Sequence, residues 1–550
     1  MSASLVLLGA CSNDGGSEST TAVPDETGGG SVALAADQTI HLSVTNELAT
    51  ANPLFMQDIQ TTTGGNQFYE GLFRLDEKNV AQPALAVDYQ VSQDGLTYTF
   101  QLQEDAKWSN GDPVTAHDFV YGWQKAVDPD TAAPYAYMFE PVVNAAEINR
   151  GEMESAELGI EATSDTELVV QLNVPVSYLP EMLTNPYFFP LNEAFVEEQG
   201  DAYGTSAETT LSNGAFELTN WESGAQSWSY VKNEDYWDAE NVTLETINMQ
   251  VTKETGTALN LYESGQLDNV LLSGEYALQM QGREDYLTEN IANTSFLQFN
   301  MENESLSNLN LRKAINAVIN RDDLVNVILG NGSRPTTAFV PDNFAVDPET
   351  GEDFTAGQPD YEGFDLDAAQ EYLDAAKQEL GTDTIEFELT GDDDETSKKV
   401  SQYIHGVIQN NLEGVEVTIV NIPKNNRITK GGSGDFDVIL GGWNAIIPDP
   451  VNMLDLGHSE TTFNHGHYAN PEFDALLDAA EGEHANDEVL RFEDLRAAET
   501  IFVNDVAVAP LYHSSEAFLW DPAIQGIVRH SVGARYDFKD AYVIPTEQLG

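Results

Sequence analysis

The sequence has only one cysteine among its 550 residues, and it has few basic side chains. A single cysteine excludes an intramolecular disulfide. There are 23 Lys and Arg against 92 Asp and Glu, which gives a formal net charge of −69. This balance argues against a nucleic-acid partner, because such proteins need basic residues to neutralise phosphates. Docking onto an anionic lipid surface by charge is disfavoured for the same reason.

The acidic residues are spread along the chain rather than gathered in one tail. Charge distributed in this way is typical of a solvated surface that keeps a protein soluble and monomeric. We therefore expect a monomer, and we interpret the excess of acid as an adaptation to a salty or alkaline exterior. With 41% hydrophobic residues the chain is too long for one core, so we expect roughly two or three domains.

The only apolar run that bears on a membrane is LVLLGACS, residues 5–12. Leu8, Gly9, Ala10 and Cys11 resemble the bacterial lipobox, in which the signal is cut before a cysteine that then carries lipid. A stray cysteine in a disordered end is the alternative. The ten residues before Cys11 contain no Lys or Arg, whereas secretory signals carry a basic region and a longer apolar stretch. We therefore expect the given start to be truncated or an internal methionine.

The segment after Cys11, SNDGGSESTTAVPDETGGGS, is rich in Ser, Gly, Thr and acid. It has little to bury and is typical of a flexible tether. We assign residues 1–36 to the truncated lipoprotein signal and this tether. No other stretch approaches the roughly 18 apolar residues that a membrane span needs. A lipid anchor followed by a tether describes a soluble receptor held near a cell surface.

Strand and helix patterns alternate along the rest of the chain, which favours an α/β architecture. LTYTFQLQ, residues 96–103, places alternate apolar residues on one face of a strand. Thr115 and Asp118 have the spacing of a capping box, which predicts a helix that begins near Ala116. LRKAINAVINRDDLVNVILGNG has helical apolar spacing, and Gly330 can end its second segment.

Motifs of common enzymes are missing from the sequence. It has no phosphate-binding loop, no GxSxG elbow and no HExxH, so no class of hydrolase is indicated. Three of the nine histidines, His458, His465 and His467, fall within one short stretch. Imidazoles near carboxylates can bind zinc or nickel, but no helical spacing unites these three. A loop of turn residues is the alternative, and we predict neither a metal nor a cofactor.

Several segments together resemble the extracellular solute-binding proteins of bacterial ABC importers, in their oligopeptide-binding branch. The resemblance runs from about Thr39 to the end, and WSNGDPVTAHDFVYGWQKAVDPDTAAPYAYMF is the most similar segment. The other segments follow in family order and are LSNGAFELTNWESG, NEDYW, LRKAINAVINRDDLV, FDVILGGW, HYANPEFDALL and VAPLYHSSEA.

The resemblance implies a two-lobed α/β periplasmic-binding-protein-like fold of type II, in its large peptide-receptor variant, with an extra subdomain. It places lobe I at residues 37–69, 192–293 and 516–550, the subdomain at 70–191 and lobe II at 294–515. Lobes of this kind close about a hinge. In the family an extended peptide pairs its backbone with strands of both lobes, which gives affinity that does not depend on side chains.

The resemblance also carries over candidate ligand residues. In the first lobe the ligand-pairing strand falls on Gln57, Asp58 and Ile59. In the second lobe it falls on Gly442, Trp443 and Asn444, where the glycine lets a ligand backbone approach and the tryptophan forms an apolar wall. The remaining candidates that the resemblance places beside the cleft are Tyr135, Tyr512 and His513. Plain packing, in the core for the tryptophan and in the subdomain for Tyr135, is the alternative.

One position departs from the family. Many oligopeptide receptors carry an aspartate two residues beyond Asn444, which pairs with the α-amino group of the peptide, and here that residue is Ile446. A buried ammonium without a partner is costly, so Ile446 cannot replace the aspartate. Asp58 from the facing lobe could serve instead, whereas we interpret Asp449 as structural. The family cations that hold the peptide carboxylate are also missing, and Lys424 is a nearby substitute.

We therefore predict a lipid-anchored receptor on the extracellular side of the cell membrane, as in a Gram-positive bacterium. It delivers oligopeptides to the membrane subunits of an ABC importer, and it prefers ligands other than short peptides with a free amine. A receptor of the same fold for a nickel complex, haem or a sugar is the first alternative, because fold does not fix ligand. A peptidase or glycosidase is a remote alternative, and we expect no enzymatic activity.

Overall fold

The structure, a computed structural model, describes residues 22–24, 31–461 and 463–548. The predicted lipidation site, Cys11, and most of the predicted tether lie outside these residues. Helices alternate with strands, as the sequence predicts, and most of the strands belong to three sheets. None of the helices within the described ranges is long and apolar enough to cross a membrane.

The first sheet has four strands and brings distant parts of the chain together. Thr39–Val44 and Thr246–Val251 pair in parallel, and the other neighbours are antiparallel. The strand order is Phe216–Thr219, Ser227–Lys232, Thr246–Val251 and Thr39–Val44. The α-helices that follow or connect these strands are Ile59–Phe68, Glu193–Gln199, Thr255–Glu263 and Glu275–Met280.

The second sheet is antiparallel and comes from one continuous part of the chain. Its strand order is Ala86–Val91, Thr97–Leu102, Glu167–Gln171 and Ile160–Ser164. The predicted alternation is confirmed, since Tyr98, Phe100 and Leu102 are buried. The predicted helix is also confirmed: it spans Ala116–Val127 and begins with a capping box of Thr115 and Asp118. Two short helices, Ala145–Asn149 and Leu179–Met182, complete this region.

The third sheet is the largest and contains two long strands. We call Tyr286–Phe299 the first crossing strand and Val508–Trp520 the second crossing strand. The strand order is Asn269–Leu272, second crossing strand, first crossing strand, Val438–Asn444, Ile385–Asp392 and Val415–Ile422, with Arg334–Pro335 beside the second crossing strand. The helices in this part of the chain are Leu309–Ala317, Arg321–Asp323, Leu366–Leu380, Glu395–Asn411, Lys424–Gly432, Val451–Leu454, Pro471–Glu481 and Glu488–Asn504.

The helical pattern predicted after residue 310 is confirmed with one difference. The apolar residues that set the pattern, Leu311, Ala314, Ile315, Val318 and Ile319, are buried, whereas Val327 further along is exposed. Gly330 ends the helical stretch in the left-handed region with φ of 61°. The last part, Leu324–Leu329, is a π-helix rather than an α-helix. Sequence periodicity does not distinguish these two windings, because a π-turn adds only one residue to the ring of each hydrogen bond.

The remaining elements are short. The strands outside the three sheets form antiparallel pairs, which are Ala22–Pro24 with Ser31–Ala33, Phe73–Leu75 with Ala81–Pro83, Ile524–Gln525 with Tyr542–Val543, and Val528–Arg529 with Tyr536–Asp537. The 3-10 helices are Pro53–Phe55, Ala136–Phe139, Ser155–Glu157, Pro186–Phe188, Gly200–Ala202, Ala207–Thr209, Ala239–Asn241, Asp455–Gly457 and Thr546–Gln548.

The two crossing strands are irregular near their middle. They pair in register up to Asn290 opposite Ser515, and pairing resumes at Thr294 opposite His513. Three residues of the first strand therefore face one residue of the second. A bulge of this kind bends the strand that contains it and marks a point where the sheet changes direction.

The hydrophobic cores divide the chain at this bulge. The first and second sheets share one continuous core, in which Phe68, Trp108 and Trp228 are fully buried. The third sheet packs mainly against two larger cores, one around Ile315 and one around Phe502. A smaller cluster around Val270 and Leu519 lies at its first edge, and Phe518 and Trp520 at the end of the second crossing strand join the core of the first two sheets. The first two sheets thus behave as one body, and the crossing strands connect it to the body formed around the third sheet.

Candidate functional site

The strand Val438–Asn444 has an open edge. On one side it pairs along its whole length with the first crossing strand, with Gly442 opposite Ser295 and Asn444 opposite Asn293. On the other side only Val438 and Ile439 pair, with Ile385–Asp392. Within the described residues, no strand covers residues 440–444 on that second side. Unpaired backbone groups in such an edge can accept another extended chain.

A cavity of about 670 Å³ lies against this strand, and we call it the Trp443 cavity. Three of the predicted second-lobe residues, Gly442, Trp443 and Asn444, line it together. Gly442 and Asn444 are exposed, whereas Trp443 is half-buried. The structure therefore brings these three residues to one accessible wall, as the resemblance implies.

The indole of Trp443 has two roles. Its Nε1 donates to the carbonyl of Asn452 at 2.7 Å, and its ring meets that of Phe463 edge-on with centroids 5.1 Å apart. It also packs against one of the cores of the third sheet. Core packing and a cavity wall, which the sequence left as alternatives, are thus both present. This packing fixes which face of the Trp443 indole lines the cavity.

Two cations line the same cavity from the helix Lys424–Gly432. Arg427 Nε lies 2.6 Å from a carboxylate oxygen of Asp392, which also lines the cavity. Lys424 is exposed at the first turn of the helix. Lys430, two turns further along, contacts Glu388 at 2.6 Å and does not line the cavity. In a chain with so few bases, this wall is the part of the site that favours a negatively charged group.

Tyr512 and His513 were predicted to face the cleft together, and the structure separates them. Tyr512 lines the Trp443 cavity. His513 is buried away from it, with Nδ1 3.4 Å from Asp342, and burial lowers its pKa. Consecutive residues of a strand point to opposite faces, so only one of the two could reach the cavity.

The predicted first-lobe strand at Gln57, Asp58 and Ile59 is wrong as secondary structure. Ile59 begins the helix Ile59–Phe68, and Asp58 is its N-cap. The Asp58 carboxylate accepts from Thr61 N at 2.9 Å and from Thr61 Oγ1 at 2.6 Å. Aspartate is a favoured N-cap residue because its carboxylate accepts from a backbone N–H of the first turn, and this local capping decides the conformation. Residues 57–59 nevertheless remain exposed, and Asp58 keeps extended backbone angles.

Ile59 also lines a second cavity, of about 260 Å³, which we call the Ile59 cavity. Its wall includes Glu516 and Arg535, which lie 3.4 Å apart beside the crossing strands. Burial raises the pKa of Glu516, and nearby Arg535 opposes that rise. The Ile59 cavity thus lies against the same pair of strands as the Trp443 cavity.

Tyr135 packs within its own region. Its ring stacks on that of Tyr187 with centroids 4.1 Å apart, and it does not line the Trp443 cavity. Burial raises the pKa of the Tyr187 hydroxyl, and the charge of Asp58 adds to the rise. Plain packing of Tyr135, which the sequence left as the alternative, is therefore present.

Ile446 lies apart from the Trp443 cavity, in a narrow gap of about 10 Å³. Its carbonyl accepts from Asn185 at 3.4 Å, and its backbone N–H donates to Asn452 at 2.8 Å. The residues around the gap are Asn66, Leu75, Thr184, Asn185, Pro186, Ile446, Pro448, His530, Val532, Gly533 and Ala534. None of them is a carboxylate. Asp449, interpreted as structural, is buried and paired through both oxygens with Arg491, at 2.7 and 2.8 Å.

The three clustered histidines do not converge. His458 lies 3.3 Å from Asp478 and His467 lies 3.8 Å from Glu302, whereas His465 lines the Trp443 cavity. Across the ranges that the structure describes, no group of three or more His, Cys, Asp or Glu could hold a metal ion. The turn-residue interpretation of this loop is the better supported one.

Sequence reasoning missed several residues of the Trp443 cavity. Asn293 and Ser295 come from the first crossing strand, and Arg427 and Phe463 come from a helix and a loop. The alternation of polar residues at 293 and 295 is a signal for one accessible strand face. Nothing in the sequence places that face beside Val438–Asn444, because their pairing joins segments far apart in the chain.

Comparison with known proteins gives consistent results. The family described as "Bacterial extracellular solute-binding proteins, family 5 Middle" matches residues 80–465. A dipeptide-binding protein of Lactococcus lactis is 32% identical over 92% of this chain and 94% of its own length. The oligopeptide-binding protein OppA of Bacillus subtilis is 30% identical over 92% of each chain.

Solved structures are similar over nearly the whole chain. Listeria monocytogenes OppA bound to peptide has 36% identity and a TM-score of 0.74, and covers 93% of this chain and 100% of its own. The unliganded open form of the periplasmic murein tripeptide binding protein MppA has 26% identity and a TM-score of 0.80, with coverages of 94% and 99%. These similarities confirm the predicted two-lobed type II α/β fold.

Proposed function

Because the chain belongs to the bacterial extracellular solute-binding proteins of family 5, we propose that it captures oligopeptides between its lobes and delivers them to an ABC importer. The observation that carries this proposal is the open edge of residues 440–444 inside the Trp443 cavity. An extended peptide can add to such an edge through its backbone, whatever its side chains. Gly442 leaves room for that backbone, and Trp443 packs against it.

The ligand sites are part of the proposal. We assign backbone pairing to Gly442, Trp443 and Asn444, and a wall contact to Tyr512. On the facing lobe we assign Gln57, Asp58 and Ile59, which are exposed at the start of the helix Ile59–Phe68. We also assign a ligand contact to Tyr135, which stacks on Tyr187, whereas His513 has no contact with ligand in this scheme.

The proposed specificity rests on two features, the lining around Ile446 and the position of Lys424. The gap around Ile446 has no carboxylate in its lining, so nothing there compensates a peptide ammonium. Lys424 lines the Trp443 cavity and suits a peptide carboxylate. We therefore propose a preference for longer or apolar peptides, for peptides with blocked N-termini or for a pheromone-like signal, rather than for short free-amine peptides.

Closure of the lobes around the ligand is the proposed motion. The chain has a higher TM-score with an unliganded open form than with a peptide-bound structure, although its sequence identity is lower. Because the same fold occurs both in an unliganded open form and bound to peptide, we propose lobes that approach each other around a ligand. We propose lobe I at 37–69, 192–293 and 516–550, the subdomain at 70–191 and lobe II at 294–515.

Attachment to the membrane completes the proposal. We propose a lipid anchor on Cys11, a monomeric receptor and a position on the extracellular face of the cell membrane. The lipobox-like residues before Cys11 support this, and Cys11 itself lies outside the described residues. Growth with an alkyne fatty acid is expected to label the full-length precursor and leave Cys11→Ser unlabelled. Equal labelling of both would contradict the anchor.

The test of function is a calorimetric titration. The protein is freed of bound ligand by unfolding and refolding, and is then titrated with a casein-digest pool of short peptides. The proposal predicts saturable heat from the pool, and no heat from free amino acids, sugars or nickel chelates. Heat from one of the latter solutions alone would contradict the proposal.

A further inference from the structure

Asn293 lies where the candidate ligand wall meets the connection between the lobes. It is one of the three residues of the first crossing strand, 291–293, that face a single residue of the second crossing strand. It also lines the Trp443 cavity and is half-buried. One side chain is therefore part of both the bulge and the ligand wall.

The amide of Asn293 bridges two strands. Its Nδ2 donates to Oδ1 of Asn444 at 2.9 Å, and its Oδ1 accepts from Oγ of Ser514 at 2.5 Å. Asn444 is the last residue of the open-edged strand, and Ser514 is the residue that faces the bulge. One planar amide thus contacts both strands.

The backbone of the bulge also makes two hydrogen bonds, one to the C-terminal segment and one to the residue after the open-edged strand. Ala292 N donates to the carbonyl of Ser531 at 2.7 Å, and the carbonyl of Ala292 accepts from Ala445 N at 2.8 Å. The residue after the open-edged strand is therefore held to the bulge by backbone, next to the side-chain contact at Asn444. The bulge and the end of the strand form one hydrogen-bonded unit.

These contacts are accessible to solvent, and this matters for their role. Asn444 is exposed and Asn293 is half-buried, so water can hydrate both amides if they separate. A contact that water can replace contributes little to folding. Such a contact can form and break during a conformational change with little change in free energy. A residue that couples two events needs contacts of this kind.

We propose that Asn293 is a positioning residue that couples ligand pairing at Asn444 to closure of the lobes. This rests on the proposed function. A ligand backbone at the open edge holds Asn444 in place, Asn444 orients the Asn293 amide, and Asn293 fixes the bulge through Ser514. The closed arrangement is thereby favoured only when the edge is occupied.

The test compares Asn293→Ala with Asn290→Ala on ligand-free protein. Asn290 is in the same strand, contacts Arg334 and Ser515, and lines neither cavity. A casein-digest peptide pool is the probe, calorimetry gives affinity and small-angle scattering gives the change in radius of gyration. For Asn293→Ala we expect about threefold to tenfold weaker binding, the size of one or two lost hydrogen bonds, and an incomplete change in radius at saturation. Asn290→Ala is expected to close fully.

A double-mutant cycle with Asn444→Ala separates coupling from general damage. If the two asparagines act through each other, the second substitution adds little to the effect of the first on closure. Additive effects, full closure by Asn293→Ala, or an equal defect in Asn290→Ala would overturn the proposal. If Asn293→Ala does not fold, Ser514→Ala, which breaks the other half of the bridge, decides it by the same criteria. A wild-type protein that neither binds the pool nor closes would contradict the proposed function itself.

Discussion

A methyl group on Gly442 would come within 3.1 Å of the amide nitrogen of Asn293 and 3.5 Å of the carbonyl of Thr294. The neighbouring glycine differs: a methyl group on Gly441 would meet Ile439 at 3.4 Å and Arg427 at 3.6 Å, which are ordinary contacts. Both glycines line the Trp443 cavity, but only at Gly442 would an added side chain force a neighbouring residue to move.

Gly442→Ala is expected to weaken peptide binding about tenfold, or by about 1.4 kcal/mol, because the added methyl displaces the Asn293 amide. Gly441→Ala is the matched control and is expected to bind nearly as wild type does. Calorimetric titration with the casein-digest pool measures both. Equal affinities in the two variants would show that the 442 position is not close to the ligand.

Lys424 and Lys430 offer a second matched pair, because they lie on one helix and only Lys424 lines the Trp443 cavity. Lys424→Met is expected to weaken binding of peptides with a free carboxylate about twofold to fivefold, a size typical of an exposed charge pair. Peptide amides are expected to be unaffected, and Lys430→Met is expected to be neutral for both ligands.

Fluorescence titrations with one peptide in its acid and amide forms give the comparison for both lysine variants. A loss that is the same for acid and amide, or that appears in Lys430→Met, would contradict carboxylate recognition by Lys424. High salt should reduce the difference between wild type and Lys424→Met, because exposed charges are screened.

Ile446 is the proposed reason for weak recognition of a peptide amine. Ile446→Asp is expected to make binding depend on a free amine, with peptides acetylated at the N-terminus about tenfold weaker than the free form, since an ammonium–carboxylate pair is a strong hydrogen bond. Ile446→Asn, with no charge, is the control and should not discriminate. Competition assays with paired peptides decide this. Strong discrimination by the wild-type protein would sink the specificity proposal.

Glu289 and Glu516 are direct neighbours across the crossing strands, with Arg535 close to both. Burial raises the pKa of Glu516, so the folded state holds its proton more readily than the unfolded state does. Ionised Glu516 therefore lowers the free energy of unfolding. This loss of stability shrinks as the pH falls through the raised pKa of the folded state, and it disappears below the usual pKa of a glutamate in the unfolded state. Glu516→Gln is expected to melt at a higher temperature than wild type at pH 8, with a smaller difference at pH 5.

Thermal unfolding followed by circular dichroism across that pH range checks the Glu516 prediction. A variant that is less stable at pH 8, or a difference that grows as the pH falls, would show that the Arg535 contact outweighs burial.

Local signals in the sequence were enough for much of the fold. The capping box at Thr115 and Asp118 and the alternation through Phe100 depend on residues near each other in the chain, and the structure has both. The start of the helix at Ile59 shows where such reasoning failed. The resemblance suggested a strand there, but the capping bonds of Asp58 to Thr61 decide the local conformation.

The candidate site was predictable only in part. Gly442, Trp443 and Asn444 are consecutive, so one sequence segment identifies them together. Asn293 lies far away in the chain and joins the wall only through strand register. The prediction for His513 was wrong because neighbouring residues of a strand point to opposite faces of the sheet. The sequence does not show which of these faces meets the cavity, because that depends on the irregular pairing of the two crossing strands.

Native mass spectrometry of the protein as purified from its host identifies the bound ligand, because a receptor that encloses its ligand can retain it through purification. Peptide capture predicts a complex whose extra mass is released on denaturation as peptides, and fragmentation of those peptides would give their length and N-terminal state. Release of a nickel complex, haem or sugar in place of peptides would contradict it.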